Sequence, residues 1–356
     1  MRATITLLRG DGVGPEVVES AVQVLNSLGH DFTFQDAPFG IAGILTTGSA
    51  FPDETRRACE SSDAVLLGAV GGPAGSTPAG SPRPEAGLLA LRKHFGLFAN
   101  LRPVKTYAAL VDHAPLKPQL LQDVDILFVR ELTGGIYFGP RQEPPEQFDK
   151  ESSASAHDTL VYSACEVARV SRVAFEAARQ RRKQVASVDK ANVLASSRLW
   201  RQTVEQVATE YPDVALSHQL VDSFAMQLMT RPSAWDVVVT GNMFGDILSD
   251  EASILAGSLG MLPSASLNEG TFGVYEPVHG SAPDIAGQNI ANPIGTILSA
   301  AMLLRYSLKL FDDSLRIEQA VEAVLAEGAR TADIANGGQY VSTSEFTQAV
   351  IQKLCA

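Results

Sequence analysis

Short β-rich runs alternate with amphipathic helical segments along almost the whole chain, and this alternation limits the folds that are open to it. The strand candidates are residues 3–8, 32–37, 63–70, 125–132, 184–189 and 236–241. Helical patterns cover residues 15–29 and 168–183. Strands that alternate with helices are typical of an α/β protein whose sheet is at least partly parallel. A chain of 356 residues is long enough for one large or two medium domains.

Charge and composition exclude several classes of partner. The formal net charge of −12 argues against nucleic acid and anionic membranes as partners. The longest apolar runs are too short to cross a membrane, and the first residues are typical of an opening strand and not of a secretory signal. Three distant cysteines, in no metal-binding spacing, favour the reducing cytoplasm. An anionic substrate would need a local basic cluster, because the net charge repels it.

Polar residues follow three of the predicted strands. Arg130 and Glu131 end one strand, Asp189 and Lys190 end another, and Asn242 follows a third. In open α/β sheets, ligands bind beyond the carboxyl ends of the strands. The sequence therefore predicts one pocket that is built from these three connections.

A basic run ends the helical segment 168–183. Its members are Arg179, Arg181, Arg182 and Lys183. Positive charge in the last turn of a helix complements the helix dipole, so we interpret the run as a solvated helix end and not as a binding patch.

The segment GDGVGPE, residues 10–16, superficially resembles a dinucleotide-binding fingerprint. Its spacing is wrong, because the third glycine of the fingerprint is not at the required position and Pro15 follows instead. Proline is well suited to the first turn of a helix. We therefore interpret the segment as a tight turn from a strand into a helix, and we reject it as a sign of a Rossmann fold.

Asp246 and Asp250 lie in VVVTGNMFGDILSDEAS, directly after a strand that is predicted to be buried. Four residues apart on a helix, their side chains share one face, where two carboxylates repel each other. A neighbouring cation, a shared proton or a metal ion could offset the repulsion, and Mg²⁺ commonly binds one or two carboxylates. The alternative is a pair of acids favoured by the helix dipole. Asp222 is a further acid, which could instead be a helix N-cap.

Five other polar side chains occupy positions suited to substrate binding or catalysis. Arg92, Arg102 and Arg130 come from different segments and each alone suits the surface, but together they could bind a carboxylate substrate bidentately. Lys190, after a buried strand, is either a surface residue or a base desolvated enough to act near neutral pH. Tyr137, in a glycine-flanked loop, either covers a neighbouring surface or donates a proton.

Five motifs resemble those of the β-decarboxylating dehydrogenases and occur in the same order. The motifs are ANLRPVK, VRELTGGIYFG, SVDKANVL, VVVTGNMFGDILSDEAS and EPVHGSAPDIAG. The resemblance covers essentially the whole chain, and members of this family act on isocitrate, homoisocitrate, tartrate or D-malate, and 3-isopropylmalate. Residues 84–93, PEAGLLALRK, are similar to the members that act on 3-isopropylmalate in leucine biosynthesis. Arg9 replaces the proline that is usual in the family, and we expect little effect on the chemistry.

The resemblance implies an α/β fold with a mixed central sheet and two lobes, different from a Rossmann fold. Residues 1–98 and 257–356 would form a first lobe that binds the nucleotide, and residues 99–256 would form a second lobe that makes a homodimer. The irregular stretch 133–158 is too long for a simple connection and is similar to the family's arm, which clasps the second subunit. By the same resemblance, each active site is shared between the two subunits.

The resemblance also implies a metal-dependent mechanism. Asp246 and Asp250, with Asp222 of the partner subunit, would bind Mg²⁺ or Mn²⁺. Lys190, also contributed across the dimer, would accept the proton of the substrate hydroxyl, and Tyr137 would protonate the enol carbon after loss of CO₂. The substrate-binding residues would be Arg92, Arg102, Arg130, Asp222, Glu85, Leu88 and Leu89.

Asp284 indicates NAD as the cofactor, because a carboxylate accepts hydrogen bonds from the ribose 2′-OH and would repel a 2′-phosphate. NADP-dependent members of the family have Lys and Tyr where this chain has Asp284 and Ile285. By resemblance, the nucleotide-binding residues are His279, Gly280, Ser281, Ala282, Pro283, Asp284, Ile285, Ala286, Gly287 and Asn292. The alternative for His279 is a loop histidine that is bonded to backbone.

Leu88 and Leu89 predict an apolar pocket beside Glu85 that suits the isopropyl group of 3-isopropylmalate. Burial of a carboxylate against leucines is costly, so isocitrate should be rejected strongly and other short 3-alkylmalates only weakly. Two alternatives are a tartrate/D-malate or homoisocitrate dehydrogenase of the same family and a non-catalytic, nucleotide-binding regulatory subunit. A regulatory subunit should have lost some of the acids, the lysine or the tyrosine, and this chain retains them all.

Overall fold

The computed structural model describes residues 1–145 and 147–355, with the backbone alone at His113. The strands are β1 (Arg2–Gly10), β2 (Asp31–Asp36), β3 (Ala64–Ala69), β4 (Ala99–Lys105), β5 (Asp125–Glu131), β6 (Arg141–Gln142), β7 (His157–Asp158), β8 (Gln184–Asp189), β9 (Ala215–Leu220), β10 (Val237–Thr240), β11 (Pro263–Leu267) and β12 (Gly273–Pro277). The α-helices are α1 (Gly14–Ser27), α2 (Ile41–Thr47), α3 (Asp53–Glu60), α4 (Glu85–His94), α5 (Ala164–Arg179), α6 (Ala195–Ala208), α7 (Val221–Thr230), α8 (Asn242–Ala256), α9 (Ile294–Tyr306), α10 (Phe311–Ala326) and α11 (Thr343–Cys355). All six predicted strands and both predicted helices are present.

Ten of the strands form one mixed sheet, in the order β2-β1-β3-β12-β11-β4-β5-β10-β8-β9. The pairs from β2 to β12 and from β5 to β9 are parallel, and the three pairs that join β12, β11, β4 and β5 are antiparallel. The predicted fold class, α/β with a mixed central sheet, is confirmed. The first five strands in this order come from residues 1–98 and 257–356, and the other five come from residues 99–256. The division into two lobes at these boundaries stays a prediction.

The two groups of strands meet at a short seam between β11 and β4. The seam consists of the pairs Ala265↔Leu101, Ser266↔Asn100 and Leu267↔Ala99. The side chain of Asn100 crosses the seam and donates from Nδ2 to Ser266 Oγ at 3.1 Å. The sheet is therefore continuous, but it is narrow at its centre.

Helix α9 is the most deeply buried helix that packs against this sheet. Its first eleven residues, 294–304, are all buried, and it lies against β11, β12, α1 and α10. The sequence IGTILSAAMLL explains this position, because it has no charged residue before Arg305 and is hydrophobic all round. It forms part of the main hydrophobic core.

Helix α5 begins four residues earlier than hydrophobic periodicity predicts. Ser163 and Glu166 form a capping box, in which each side chain accepts a hydrogen bond from the other residue's backbone N–H. The helix ends at Arg179, so Arg181 and Arg182 lie beyond its last turn. The interpretation of the basic run as a solvated helix end is wrong for Arg181, whose guanidinium bonds to the fully buried carboxylate of Asp236 at 2.8 Å. A pairing across the sheet was not visible from the local sequence.

Replacing Asp236 by alanine should lower the free energy of unfolding by about 3 kcal/mol, because the change leaves the Arg181 guanidinium without its buried partner. The matched control is Asp213→Ala, which removes an exposed ion pair with Arg179 and should leave the urea midpoint nearly unchanged. Urea denaturation of both variants measures the difference. Equal losses would contradict a special role for the buried pair.

The arm predicted at residues 133–158 contains a separate two-stranded antiparallel sheet of β6 and β7. One of its residues, Glu146, lies outside the described residues, as does Ala356 of the predicted first lobe. Almost all residues from 140 to 161 are exposed. The clasp around a second subunit stays a prediction. Among the described helices, none combines the length and apolar character needed to span a bilayer.

Candidate active site

The carboxyl ends of β5, β10 and β8 lie side by side, because these strands are parallel neighbours in the sheet. Thr240, the last residue of β10, pairs with Arg130 on one side and with Val188 on the other. Helix α8 starts two residues later and carries both acids, Asp246 and Asp250. The sheet therefore brings the predicted strand-end residues to one edge.

The guanidinium of Arg130 is buried against the first turns of α8. It donates from Nη2 and Nε to Asn242 Oδ1, at 2.8 and 3.2 Å, and it forms an ion pair with Asp246. Gly245 makes this approach possible, because a Cβ at this position would lie 2.6 Å from Arg130 Cγ. The start of α8 is therefore shaped to accept the Arg130 side chain.

Arg102, on β4, contacts both acids of α8. Its Nη1 donates to Asp250 Oδ1 at 3.1 Å and to Ser249 Oγ at 2.7 Å, and its Nη2 lies 3.3 Å from Asp246 Oδ1. Its Nε donates to Asn100 Oδ1 at 2.7 Å, which fixes the plane of the guanidinium. The repulsion between the two carboxylates is thus offset by arginines, which was one of the three possibilities left open by the sequence.

The arginines act differently on the two acids. Burial opposes ionisation of Asp246, but Arg130, Arg102 and Arg92 outweigh it and hold the pKa of this carboxyl below its usual value. Burial raises the pKa of Asp250, and Arg102 offsets this only in part. Burial and the neighbouring Arg102 lower the pKa of Arg130 to about 9. The cluster therefore brings buried arginines and partly exposed carboxylates together at one point.

Tyr137 lies at the same cluster. Its hydroxyl donates to Asp246 Oδ2 at 3.2 Å, and its ring centre is 6.0 Å from the Arg130 guanidinium carbon. Burial and the nearby Asp246 carboxylate raise the pKa of the phenol. The hydroxyl therefore keeps its proton at neutral pH and can donate it.

Lys190 and Asp222 form a second cluster. Lys190 Nζ donates to Asp222 Oδ1 at 2.6 Å, and this hydrogen bond lowers the pKa of the carboxyl. Asp222 lies in the first turn of α7 and Leu220 is the N-cap, so the alternative of an N-cap role for Asp222 is wrong. Within the described chain, neither residue bonds to Asp246 or Asp250.

Helix α4 presents its predicted substrate-binding residues on one face, at the spacing Glu85, Leu88, Leu89 and Arg92. Glu85 is exposed, and both leucines are half-buried. Arg92 is buried and donates from Nη2 to Glu276 Oε1 at 3.1 Å. Its positive charge also contributes to the lowered pKa of Asp246.

The predicted nucleotide-binding residues 279–287, called the nucleotide segment below, form an irregular loop between β12 and α9. The ring of His279 is largely desolvated, which lowers its pKa; Nδ1 lies 2.9 Å from Gly280 O, and Nε2 is buried with no hydrogen-bond partner in the described residues. The carboxylate of Asp284 is on an exposed residue. Asn292 is buried, and its amide bonds to Asp333 at 3.0 Å and to the backbone N–H of Ile294 at 2.9 Å. Its side chain is therefore occupied within the protein.

The residues present fit both groups that the resemblance implies. The side chains of Asp246 and Asp250 are 33% and 49% exposed, so their oxygens are available to a hard divalent cation. No group of three or more His, Cys, Asp or Glu residues in the described chain could hold a metal by itself. The unpartnered Nε2 of His279 and the exposed Asp284 are suited to a nucleotide. A complete metal site would need a further oxygen ligand from elsewhere.

Several contributors were missed from the sequence. Asn100 shares a face of β4 with Arg102, a relation that period-two spacing could have revealed. Glu276 lies in the EPVHGSAPDIAG motif, but its partner Arg92 is 184 residues away. Ser249 and Gly245 gave no local signal.

Comparison with known proteins identifies the family. The sequence model of the isocitrate/isopropylmalate dehydrogenases matches residues 4–350. The chain is 54% identical to a 3-isopropylmalate dehydrogenase of Heyndrickxia coagulans, over 99% of this chain and 97% of that protein. It is 53% identical to a 3-isopropylmalate dehydrogenase of Rhodopirellula baltica, over the full length of both.

Comparison with solved structures indicates the same family. The isocitrate dehydrogenase of Methylococcus capsulatus superposes with a TM-score of 0.89 at 34% identity and covers 99% of both chains. A beta-decarboxylating dehydrogenase of Thermococcus kodakarensis has a TM-score of 0.79 at 35% identity, over 99% of this chain and 96% of that one. With its sheet, its cluster of acids and arginines and these relatives, the chain belongs to the isocitrate/isopropylmalate dehydrogenase family of enzymes.

Proposed function

We propose that the chain is an NAD-dependent 3-isopropylmalate dehydrogenase of leucine biosynthesis. It would convert (2R,3S)-3-isopropylmalate to 2-oxo-4-methylpentanoate and CO₂. The observation that carries the proposal is the cluster in which Asp246 contacts Arg130, Arg102 and Tyr137. Relatives with the name 3-isopropylmalate dehydrogenase, at 54% and 53% identity, support this choice of substrate.

Asp246 and Asp250 would hold the metal, together with Asp222 of the partner subunit. Bound Mg²⁺ or Mn²⁺ supplies Lewis-acid chemistry, which acidifies the substrate hydroxyl and stabilises the negative charge that develops on loss of CO₂. The chain's own part is to keep both carboxylates in place. Arg102 does so by bonding to Asp250 at 3.1 Å while it also contacts Asp246.

The arginines and the two proton carriers would act on the substrate itself. Arg92, Arg102 and Arg130 carry the positive charge that orients the substrate carboxylates against a net charge of −12. Lys190 would accept the hydroxyl proton, held by its hydrogen bond to Asp222. Tyr137 would deliver its proton to the enol carbon after decarboxylation, since its hydroxyl lies at the cluster and is protonated at neutral pH.

The nucleotide segment would bind NAD⁺, which accepts the hydride from C2 of the substrate. The exposed carboxylate of Asp284 would accept hydrogen bonds from the ribose 2′-OH. His279 would lie near the adenine, since its buried Nε2 lacks a partner in the described residues. Because the Asn292 amide is already bonded, its contact with the adenine would come from its backbone.

The active enzyme would be a homodimer with shared sites. Large hydrophobic side chains are exposed on the two helices that carry the acids, namely Met226 on α7 and Ile247 and Ile254 on α8. The exposed arm of residues 133–158 would add to this interface. The three unpaired cysteines and the biosynthetic role suit the cytoplasm.

A non-catalytic regulatory subunit is the weaker candidate. Tyr137, Lys190, Asp222, Asp246 and Asp250 are all present, and each has a charged or hydrogen-bonding partner in the structure. Tartrate/D-malate and homoisocitrate dehydrogenases use the same chemistry. Only the fit of the substrate in its pocket therefore distinguishes these enzymes from the proposed one.

The proposed function predicts turnover of 3-isopropylmalate by the purified single chain with NAD⁺ and Mg²⁺. NADP⁺ should be a poor substitute, because the carboxylate of Asp284 would repel its 2′-phosphate. A chelator should abolish NADH formation, and Mn²⁺ should restore it. NADH absorbance and CO₂ release measure the two products. Undiminished turnover after complete removal of divalent metals would contradict the proposal.

The leucines of α4 predict the substrate range. Each carbon of the isopropyl group is worth about 0.8 kcal/mol on burial, so kcat/KM should fall roughly fiftyfold from 3-isopropylmalate to unsubstituted D-malate. The 3-ethyl analogue should lose much less, and isocitrate should not be turned over. Steady-state rates with this panel decide the substrate. A preference for D-malate would favour the rival enzyme.

A further inference from the structure

The segment GDGVGPE does not match a nucleotide fingerprint, but it lies directly against the nucleotide segment. Val13 N–H donates to Ser281 O at 2.8 Å. Gly12 is so close that a Cβ there would lie 1.9 Å from Ser281 O. Val13 and Val17 also pack in a small apolar cluster with Ile285. The turn and the first helical residues of α1 therefore pack directly against the nucleotide segment.

The nucleotide segment has few hydrogen bonds of its own. Its internal backbone bonds include Ile285 N–H to Ala282 O at 3.2 Å, and Ala282 has a positive φ of 37°. Positive φ is unfavourable for residues other than glycine, so external contacts have to hold this conformation. The carboxylate of Glu16 holds the end of the segment: it accepts from Gly287 N–H at 2.7 Å and, two residues beyond the segment, from Asn289 N–H at 3.2 Å.

Residues 10–16 also contact the part of the chain that leads to the proposed substrate-binding residues. The buried carboxylate of Asp11 accepts from Gly71 N–H at 2.9 Å and from Ile41 N–H at 3.0 Å. Gly71 lies in the connection of residues 70–84 between β3 and α4, which leads to the residues predicted to bind the substrate. A Cβ on Gly71 would lie 3.0 Å from Glu85 Oε1, so this backbone passes close to the first residue of α4.

We propose that residues 10–16 are a scaffold that positions both halves of the active site. Glu16 holds the nucleotide segment in its binding conformation, and Asp11 holds the connection of residues 70–84 that precedes α4. Both are positioning residues, since they act through backbone groups of the two loops. The inference rests on the proposed NAD site at residues 279–287, and it adds a determinant of nucleotide affinity outside that segment.

The test is the variant Glu16→Gln, which keeps the size of the side chain and removes its charge. The dissociation constant of NAD⁺, measured by calorimetry without substrate, should rise about tenfold, because hydrogen bonds to a charged acceptor are lost. ADP-ribose should be weakened by the same factor, since the segment is proposed to bind the adenosine half. At saturating NAD⁺, kcat and the KM for 3-isopropylmalate should stay within about twofold of wild type, because the substrate side is untouched.

The matched control is Glu19→Gln, one turn further along α1. Glu19 is exposed, pairs with Arg9 at 3.1 Å and makes no hydrogen bond to the nucleotide segment, so its NAD⁺ affinity should be unchanged. If Glu16→Gln lowers only the thermal midpoint and binds NAD⁺ like wild type, the role of Glu16 is purely structural and the inference is wrong. If the wild-type chain itself binds no NAD⁺, the proposed function fails, and this outcome is distinct.

Asp11→Asn tests the other half of the scaffold. The change should raise the KM for 3-isopropylmalate several-fold, since Asn can offer only one acceptor oxygen to the two N–H groups that Asp11 binds. The dissociation constant of NAD⁺ should change much less. An Asp11→Asn variant that weakened NAD⁺ but not the substrate would overturn the assignment of the two acids to separate loops.

Discussion

The variant Asp246→Asn is expected to lower kcat by about a thousandfold. Asp246 contacts Arg130, Arg102 and Tyr137 at once, and an amide at this position would remove a charged oxygen ligand from the proposed metal site. Loss of about 4 kcal/mol of electrostatic stabilisation corresponds to this factor in rate. The concentration of Mg²⁺ needed for half-maximal activity should also rise. Initial rates across a Mg²⁺ titration measure both effects.

Binding of NAD⁺ to the same variant should be nearly normal, because the nucleotide segment belongs to a different part of the chain. The matched control is Glu251→Gln, which removes an acid from the same helix that has no hydrogen bond or ion pair in the described structure. The control should keep wild-type turnover. Near-normal turnover of Asp246→Asn would show that the metal assignment is wrong.

Mixing two inactive variants should restore activity, if the site is shared between subunits. Lys190→Ala should lower kcat by about a thousandfold, as expected for loss of a general base. When Lys190→Ala and Asp246→Asn chains are unfolded and refolded together, half of the dimers should contain both chains. Each such dimer has one intact site, so about one quarter of wild-type activity should return. Rates before and after mixing measure the recovery.

The control for this experiment is a mixture of Asp246→Asn with Asp250→Asn. Both changes lie on the same side of the proposed shared site, so no pairing of these chains creates an intact one. No recovery with Lys190→Ala and Asp246→Asn would place Lys190 and Asp246 in a site within one chain. Recovery with the control would show instead that Asp246 and Asp250 do not belong to the same half of a shared site. Within the described chain, Lys190 bonds to Asp222 and not to Asp246 or Asp250. The experiment therefore tests whether Lys190 meets these two acids in the dimer.

The sequence predicted those elements of the fold that depend on local patterns of apolar and polar residues. Buried runs such as AVLLGA become central strands, and the amphipathic pattern after Gly14 becomes α1. The start of α5 was missed because periodicity does not register a capping box, which depends on Ser163 and Glu166 outside the apolar face. The order of ten strands in one sheet depends on pairings between distant segments, and the family resemblance supplied what the local pattern could not.

The sequence predicted which charged residues belong to the site, but it did not predict which side chains contact each other. Helical spacing placed Asp246 and Asp250 on one face, and the strand ends placed Arg130 in the same pocket as Asn242, since both relations follow from regular geometry. The bond from Arg130 to Asn242 and the pair of Arg92 with Glu276 required the tertiary fold, because 112 and 184 residues separate the partners. A local sequence carries no information about such distances.

The seam between β11 and β4 joins the two groups of strands of the sheet. Three residue pairs hold it, and Asn100 in its middle bonds to the guanidinium of Arg102. Because Asn100 also donates to Ser266 across the seam, one side chain links the junction of the two groups of strands to the orientation of the Arg102 guanidinium.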